Sequence, residues 1–205
     1  MVDWELARWE FAEKLDGFSG QKHRLSARDL IDQQMEFARV FVDNTSEDEI
    51  QKIQEYTRAL GHPWAVSFLV YIINEGIVQT LSKMASVIRF PDIFPVTPSA
   101  RILKTWGSAF VTKEPYTGDI VLAEDYAGVI VSSNHKRQTL KMIGGDVRKL
   151  VKTESGKKMT VGVFEISRGY NDEVVFLDMQ KMYDDFLKKA RQQASEVVED
   201  LSTAI

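Results

Sequence analysis

The sequence predicts an α+β fold, with N-terminal helices packed on a five- to six-stranded antiparallel sheet and a long C-terminal helix. Three observations predict it. Up to about residue 90, apolar residues recur at three- and four-residue steps. After Gly118 the pattern changes to short β-branched runs divided by turn signals. From Met179 onward helical spacing returns. With 44% hydrophobic and 27% charged residues, the 205-residue chain has the composition of a soluble globular domain that can bury its own core.

Taken in order, Trp4, Ala7, Phe11 and Leu15 share a helical stripe that Gly17 ends. Ser26 can cap a second helix whose apolar face is Leu30, Ile31, Phe37, Ala38 and Phe41. Ser46 with Glu49 has the form of a capping box, opening a helix that Gly61 is expected to close. Pro63 suits the first turn of a helix from Trp64 to about Asn74 that Gly76 stops, and a further helical stretch follows from Val78 to Val87. Thr97-Pro98 starts a short helix ending at Gly107.

The strands expected are Asp119–Leu122, Gly128–Ser132, Thr139–Ile143, Arg148–Lys152 and Met159–Ile166, with Val174–Leu177 as an extension. Their turn signals are Tyr116-Thr117-Gly118, Ser133-Asn134, Gly144-Gly145 and Glu154-Ser155-Gly156, which reads as an antiparallel meander. Met179, Met182, Tyr183, Phe186, Ala190, Ala194, Val197 and Leu201 then form one helical stripe. The expected organisation is a helical extension over 1–25, a domain over 26–177 and an amphipathic helix over 178–205.

Charge and composition narrow the function. A net charge of −4 argues against a sequence-independent nucleic-acid binder. Lys136, Arg137, Arg148, Lys149, Lys152, Lys157 and Lys158 could form a local basic patch, although solvated hairpin edges are the simpler reading. The absence of cysteine excludes disulfides, thiolate metal sites and thiol nucleophiles. The segment Met1-Val2-Asp3-Trp4-Glu5 lacks the features of a signal peptide, and no apolar run approaches the roughly 18 residues of a membrane span. Synthesis in the cytoplasm is therefore expected. Three scattered histidines show no metal-ligand spacing, and neither a metal nor a cofactor is expected.

One constellation points further. Gly61-His62-Pro63-Trp64-Ala65-Val66-Ser67-Phe68 is a turn followed by a buried helix. At such a helix end, unpaired N–H groups and the helix dipole can lower a thiol pKa and bind an oxyanion. Further along stand Pro95-Val96-Thr97-Pro98-Ser99-Ala100, Lys104-Thr105-Trp106-Gly107, Pro115-Tyr116-Thr117-Gly118-Asp119-Ile120-Val121, Tyr126-Ala127-Gly128-Val129-Ile130-Val131 and Met142-Ile143-Gly144-Gly145-Asp146.

In this order, over roughly residues 28–167, the segments resemble the NlpC/P60 and CHAP cell-wall hydrolases, which have a papain-like fold. The resemblance implies a catalytic cysteine, a histidine base and a polar orienting group. The matching positions here hold Ala65, Tyr126 and Asp146. A methyl group cannot attack a carbonyl, and a phenol with an ordinary pKa of about 10 is no neutral-pH base. No catalytic residue is therefore expected.

Substitutes are weak. Ser67 lies about 200° around the helix from Ala65. His62, His135 and His23 lack partners, and Glu124-Asp125 beside Tyr126 reads first as a turn. The resemblance thus implies a pseudoenzyme with a structural or assembly role, for instance a phage virion or tail component. The C-terminal helical stripe reads first as a helix docked on its own domain and otherwise as a surface for protein partners. An alternative is a peptidoglycan- or peptide-binding module that keeps the old cleft, lined by Trp64, Ala65, Tyr126 and Asp146 with Trp106 nearby. Further alternatives are a hydrolase with unusual catalytic groups and an engineered Cys-to-Ala variant.

Overall fold

The computed structural model describes residues 25–60, 63–84, 93–153 and 156–190. The helices expected around Trp4–Gly17 and beyond residue 190, together with His23 and His62, lie outside the described residues. Within them the fold is α+β. Its helices are α1 (Ala27–Val40), α2 (Glu47–Tyr56), α3 (Ala65–Met84), α4 (Ala100–Trp106) and α5 (residues 179–190). Its strands are β1 (Val111–Thr112), β2 (Ile120–Leu122), β3 (Ala127–Asn134), β4 (Thr139–Thr153), β5 (Gly156–Gly169) and β6 (Val175–Leu177). They form one six-stranded antiparallel sheet in the order β1-β6-β2-β3-β4-β5. No helix among the described residues is long and apolar enough to cross a membrane.

Local chemistry sets the helix starts. Ser26 accepts the Asp29 N–H at 3.2 Å, while the Asp29 carboxylate accepts the Ser26 N–H at 2.8 Å. The same reciprocal pair joins Ser46 and Glu49 at 3.2 and 2.7 Å, satisfying donors that a helix start leaves free. Those backbone and side-chain bonds also hold the Glu49 carboxyl below its usual range.

Helix ends depart from expectation in two places. Helix α2 stops at Tyr56, ahead of Gly61, because Arg58 takes a left-handed conformation with φ of 59°. Helix α3 runs straight through Gly76 as one 20-residue helix, merging the two helical stretches expected there. Gly76 serves close packing: a Cβ there would meet the Phe37 ring at 3.3 Å, so its absence lets α1 lie against α3.

Helix α3 is apolar on nearly every side, with Phe68, Leu69, Val70, Ile72 and Ile73 fully buried. It sits between α1 and α2 on one side and β3 and β4 on the other. Asn74 is its buried polar exception. That amide donates to the Phe94 carbonyl at 3.0 Å and accepts the Phe94 N–H at 2.9 Å, so it satisfies a whole peptide edge.

The sheet also departs from the expected meander. Gly144-Gly145 does not reverse the chain, and β4 is a single 15-residue strand with a bulge between Gly144 and Val147. The short strand β1 was not expected, and β6 returns to lie between β1 and β2.

Alternate side chains divide the core by face. Ile120, Leu122, Val129 and Ile143 join the main cluster with α3, while Val121, Ile130, Leu140, Met142 and Phe176 form a second cluster on the opposite face.

The double glycine marks where the sheet meets the start of α3. A Cβ on Gly145 would stand 2.6 Å from Phe68 Cβ and 2.9 Å from the Trp64 ring. Gly145→Ala is therefore expected to destabilise the fold by about 1–3 kcal/mol, as overpacking does. Chemical denaturation should show a lowered midpoint, and an unchanged midpoint would refute the close approach.

Candidate functional site

At the start of α3 the chain brings together Trp64, Ala65 and Asp146. Trp64 is buried, its ring packed edge-on against Phe68 with centroids 6.3 Å apart. The bulge in β4 puts Asp146 in a left-handed conformation, φ 57°, which aspartate tolerates better than most residues. From there its carboxylate accepts the Trp64 N–H at 3.1 Å. Burial raises the Asp146 pKa, and the Trp64 bond and Arg148 oppose that shift. The carboxylate therefore bonds to backbone at the helix end where an oxyanion would need free N–H donors.

Tyr126 does not join this group. Ala127 and Val129 face α3 in the main cluster, whereas Tyr126 packs against the second cluster on the other face of the sheet. Its hydroxyl donates to the Gly169 carbonyl at 3.3 Å. Burial first, and then the neighbouring Asp125 charge, push its pKa up, so the phenol stays protonated.

The remaining candidates have structural partners or stand in solvent. Ser67 is fully buried and accepts the Thr57 hydroxyl at 2.6 Å, which explains a hydroxyl on an apolar helix. His135 lies in an exposed 3₁₀ turn, 3.4 Å from the Ser133 hydroxyl. Trp106 is partly exposed and packs its ring against Phe94. Among the described residues no group of three acidic or imidazole side chains could hold a metal ion.

Three features escaped the sequence reading. The first is an open cleft of about 950 Å³ beside Tyr126, bounded by α4, the β2–β3 turn and the β5–β6 connection. Glu124 and Asp125 line it. Their adjacency to an aromatic was the available signal, and the reading as a turn was also right, since the turn is what presents them.

The second is Gln34, fully buried on α1, which donates to the Gly118 carbonyl at 3.0 Å and accepts the Tyr183 hydroxyl at 2.5 Å. Its place four residues after Leu30 and four before Ala38 puts it on the buried face of the helix, but nothing local marks its polar partners.

The third is Asp119, a buried carboxylate that accepts the Tyr116 N–H at 2.8 Å and the Met179 N–H at 2.9 Å. Burial raises its pKa from 3.8 to about 6, outweighing those two bonds. A shifted carboxyl can mark a catalytic acid. Here both oxygens bind backbone donors, so the group ties β2 to α5.

Compared with protein-family models, curated proteins and solved structures, the chain matches none.

The Asp119 shift has a pH consequence. With the folded pKa above the unfolded value, the folded state binds the proton more tightly. Its contribution to stability is fully present below pH 3.8 and is lost as pH rises through about 6. The unfolding free energy of the wild type relative to Asp119→Asn is expected to fall across that window in paired urea titrations. A constant difference would contradict the assignment.

Proposed function

We propose that this chain is a non-catalytic protein with a structural or assembly role, built on a degenerate papain-like scaffold of the NlpC/P60 and CHAP type. The observation that carries the reading is the start of α3. There a methyl group stands at Ala65, beside a carboxylate bonded to the Trp64 N–H. Acyl transfer of this kind needs a nucleophile and a base within hydrogen-bond reach of each other. Neither a thiol nor an imidazole is present at that helix end among the described residues, and the one carboxylate there is bonded to the Trp64 N–H. A virion or tail component is the setting that the resemblance suggests.

An assembly role also needs a surface for a partner, and the β4–β5 hairpin offers one. Beyond the bulge residues 148–150 and 156–161 are exposed, and Leu150 pairs directly with Met159. These two side chains are 55% and 58% exposed, and Val161 lies on the same face, one register step of two residues away. Exposed apolar residues in a continuous stripe are characteristic of protein contacts. Arg148 and Lys157 flank the stripe on the same face, in keeping with the charges that protect sheet edges from indiscriminate pairing.

Gradient fractionation of the native source is expected to find the protein in an assembly far heavier than its 23.4 kDa. The Leu150→Asp/Met159→Asp variant should move to the light fractions with its thermal transition little changed, since both sites are exposed. A wild type that sediments only as a free monomer would overturn the assembly role. In muropeptide-release assays neither the wild type nor Ala65→Cys/Tyr126→His is expected to turn over, because residue 126 faces away from α3. Release by the wild type would defeat the non-catalytic reading.

A further inference from the structure

The cleft beside Tyr126 lies on the sheet face opposite the start of α3, and the assembly role does not use it. Its charge is divided by element. Helix α4 contributes Arg101 and Lys104, the β2–β3 turn contributes Glu124 and Asp125, and the β5–β6 connection contributes Glu173. No ion pair within 4.0 Å joins any of these five side chains to another described residue. Opposite charges therefore line one cavity without direct ion pairs among the described residues.

Between them stand Tyr126 and Tyr170. Both rings are anchored from behind, Tyr126 through its hydroxyl on Gly169 and Tyr170 edge-on to Phe176 with centroids 5.0 Å apart. Half-buried, fixed aromatic rings supply contact area at low entropic cost. The cleft volume of about 950 Å³ falls within the range of small-ligand sites, about 300–1,000 Å³.

We infer that this cleft binds a short zwitterionic peptide. Its carboxylate is directed to Arg101 and Lys104, its ammonium group to Glu124, Asp125 and Glu173, and its backbone lies across Tyr126 and Tyr170. A ligand of one sign would satisfy one side of the cleft and be repelled by the other. A neutral ligand would leave both sides unused. The divided charge thus selects for a molecule bearing both charges, and arginine supplies a planar fork suited to a carboxylate.

The test is a peptide series on the wild-type protein, which needs no variant to fold. Tetra-alanine with free termini, its N-acetyl form, its C-terminal amide and the doubly capped form are titrated by heteronuclear NMR. Shifts are expected at Tyr126, Tyr170 and Glu124 with the free peptide. Each singly capped form should bind about tenfold more weakly, as loss of one charge-assisted contact predicts. Arg101→Glu/Lys104→Glu should abolish discrimination against the amide while leaving the melting profile intact. Equal affinity across the series, binding mapped to the start of α3, or no shift with any peptide would each overturn the proposal.

Discussion

A buried polar tie among three separate parts of the chain holds this fold in register. Gln34 on α1 grips the Gly118 carbonyl and receives the Tyr183 hydroxyl, while the adjacent Asp119 receives the first N–H of α5. Each group lies in the interior, where an unpaired partner would cost about 1–3 kcal/mol. Burial also pushes the Tyr183 hydroxyl pKa well above its ordinary value, so it remains a donor. Apolar packing of α1 or α5 alone would permit sliding along the sheet. The hydrogen bonds select one position, and they do so at the turn that opens β2. Gly118 makes that turn possible, since its φ of 94° and the Ile31 side chain, 2.3 Å from where a Cβ would stand, leave room only for glycine.

A second constraint follows from strand alternation. Once β2 is fixed, its pairing with β3 commits Ala127 and Val129 to the α3 face, and Tyr126 to the other. The β4 bulge then turns Asp146 toward the Trp64 backbone. Two of the three positions singled out by the hydrolase resemblance are thereby near each other, and the third belongs to a different environment. The separation has a functional corollary. The helix end holds a carboxylate bonded to backbone, and the mixed-charge cleft lies behind the sheet with the tyrosine.

The two surfaces argued to be functional differ in physical character. The β4–β5 hairpin is apolar at Leu150 and Met159, and basic around them. Its base is held to the body by Lys149, which pairs with Asp43 at 3.1 Å and lies over the Phe164 ring at 4.7 Å. The cleft is concave, with fixed aromatics and charges of both signs that form no direct ion pair among the described residues. An exposed apolar stripe suits a protein partner, whereas a concave mixed-charge cleft suits a small polar ligand. The two can operate independently.

Local signals in the sequence determined the α+β class, the capped starts of α1 and α2, the presence of the short α4, which is capped by Ser99 rather than started at Thr97-Pro98, and the turn at Gly118. Each depends on neighbours within about four residues, so each is visible without knowledge of the rest of the chain. They also determined that a thiol mechanism is impossible, because the chain has no cysteine. What the glycines do was decided only by tertiary structure. Gly76, Gly144 and Gly145 carry the same local signal as a stop or a turn. In the fold, Gly76 and Gly145 instead admit Phe37 and Phe68, residues distant in sequence. The same holds for Gln34, whose hydrogen-bond partners lie 84 and 149 residues away, and for Tyr126, whose facing was settled by pairing across strands. Spacing along a chain encodes period and caps. Which face a side chain presents, and what meets it there, is fixed only when distant segments close on one another.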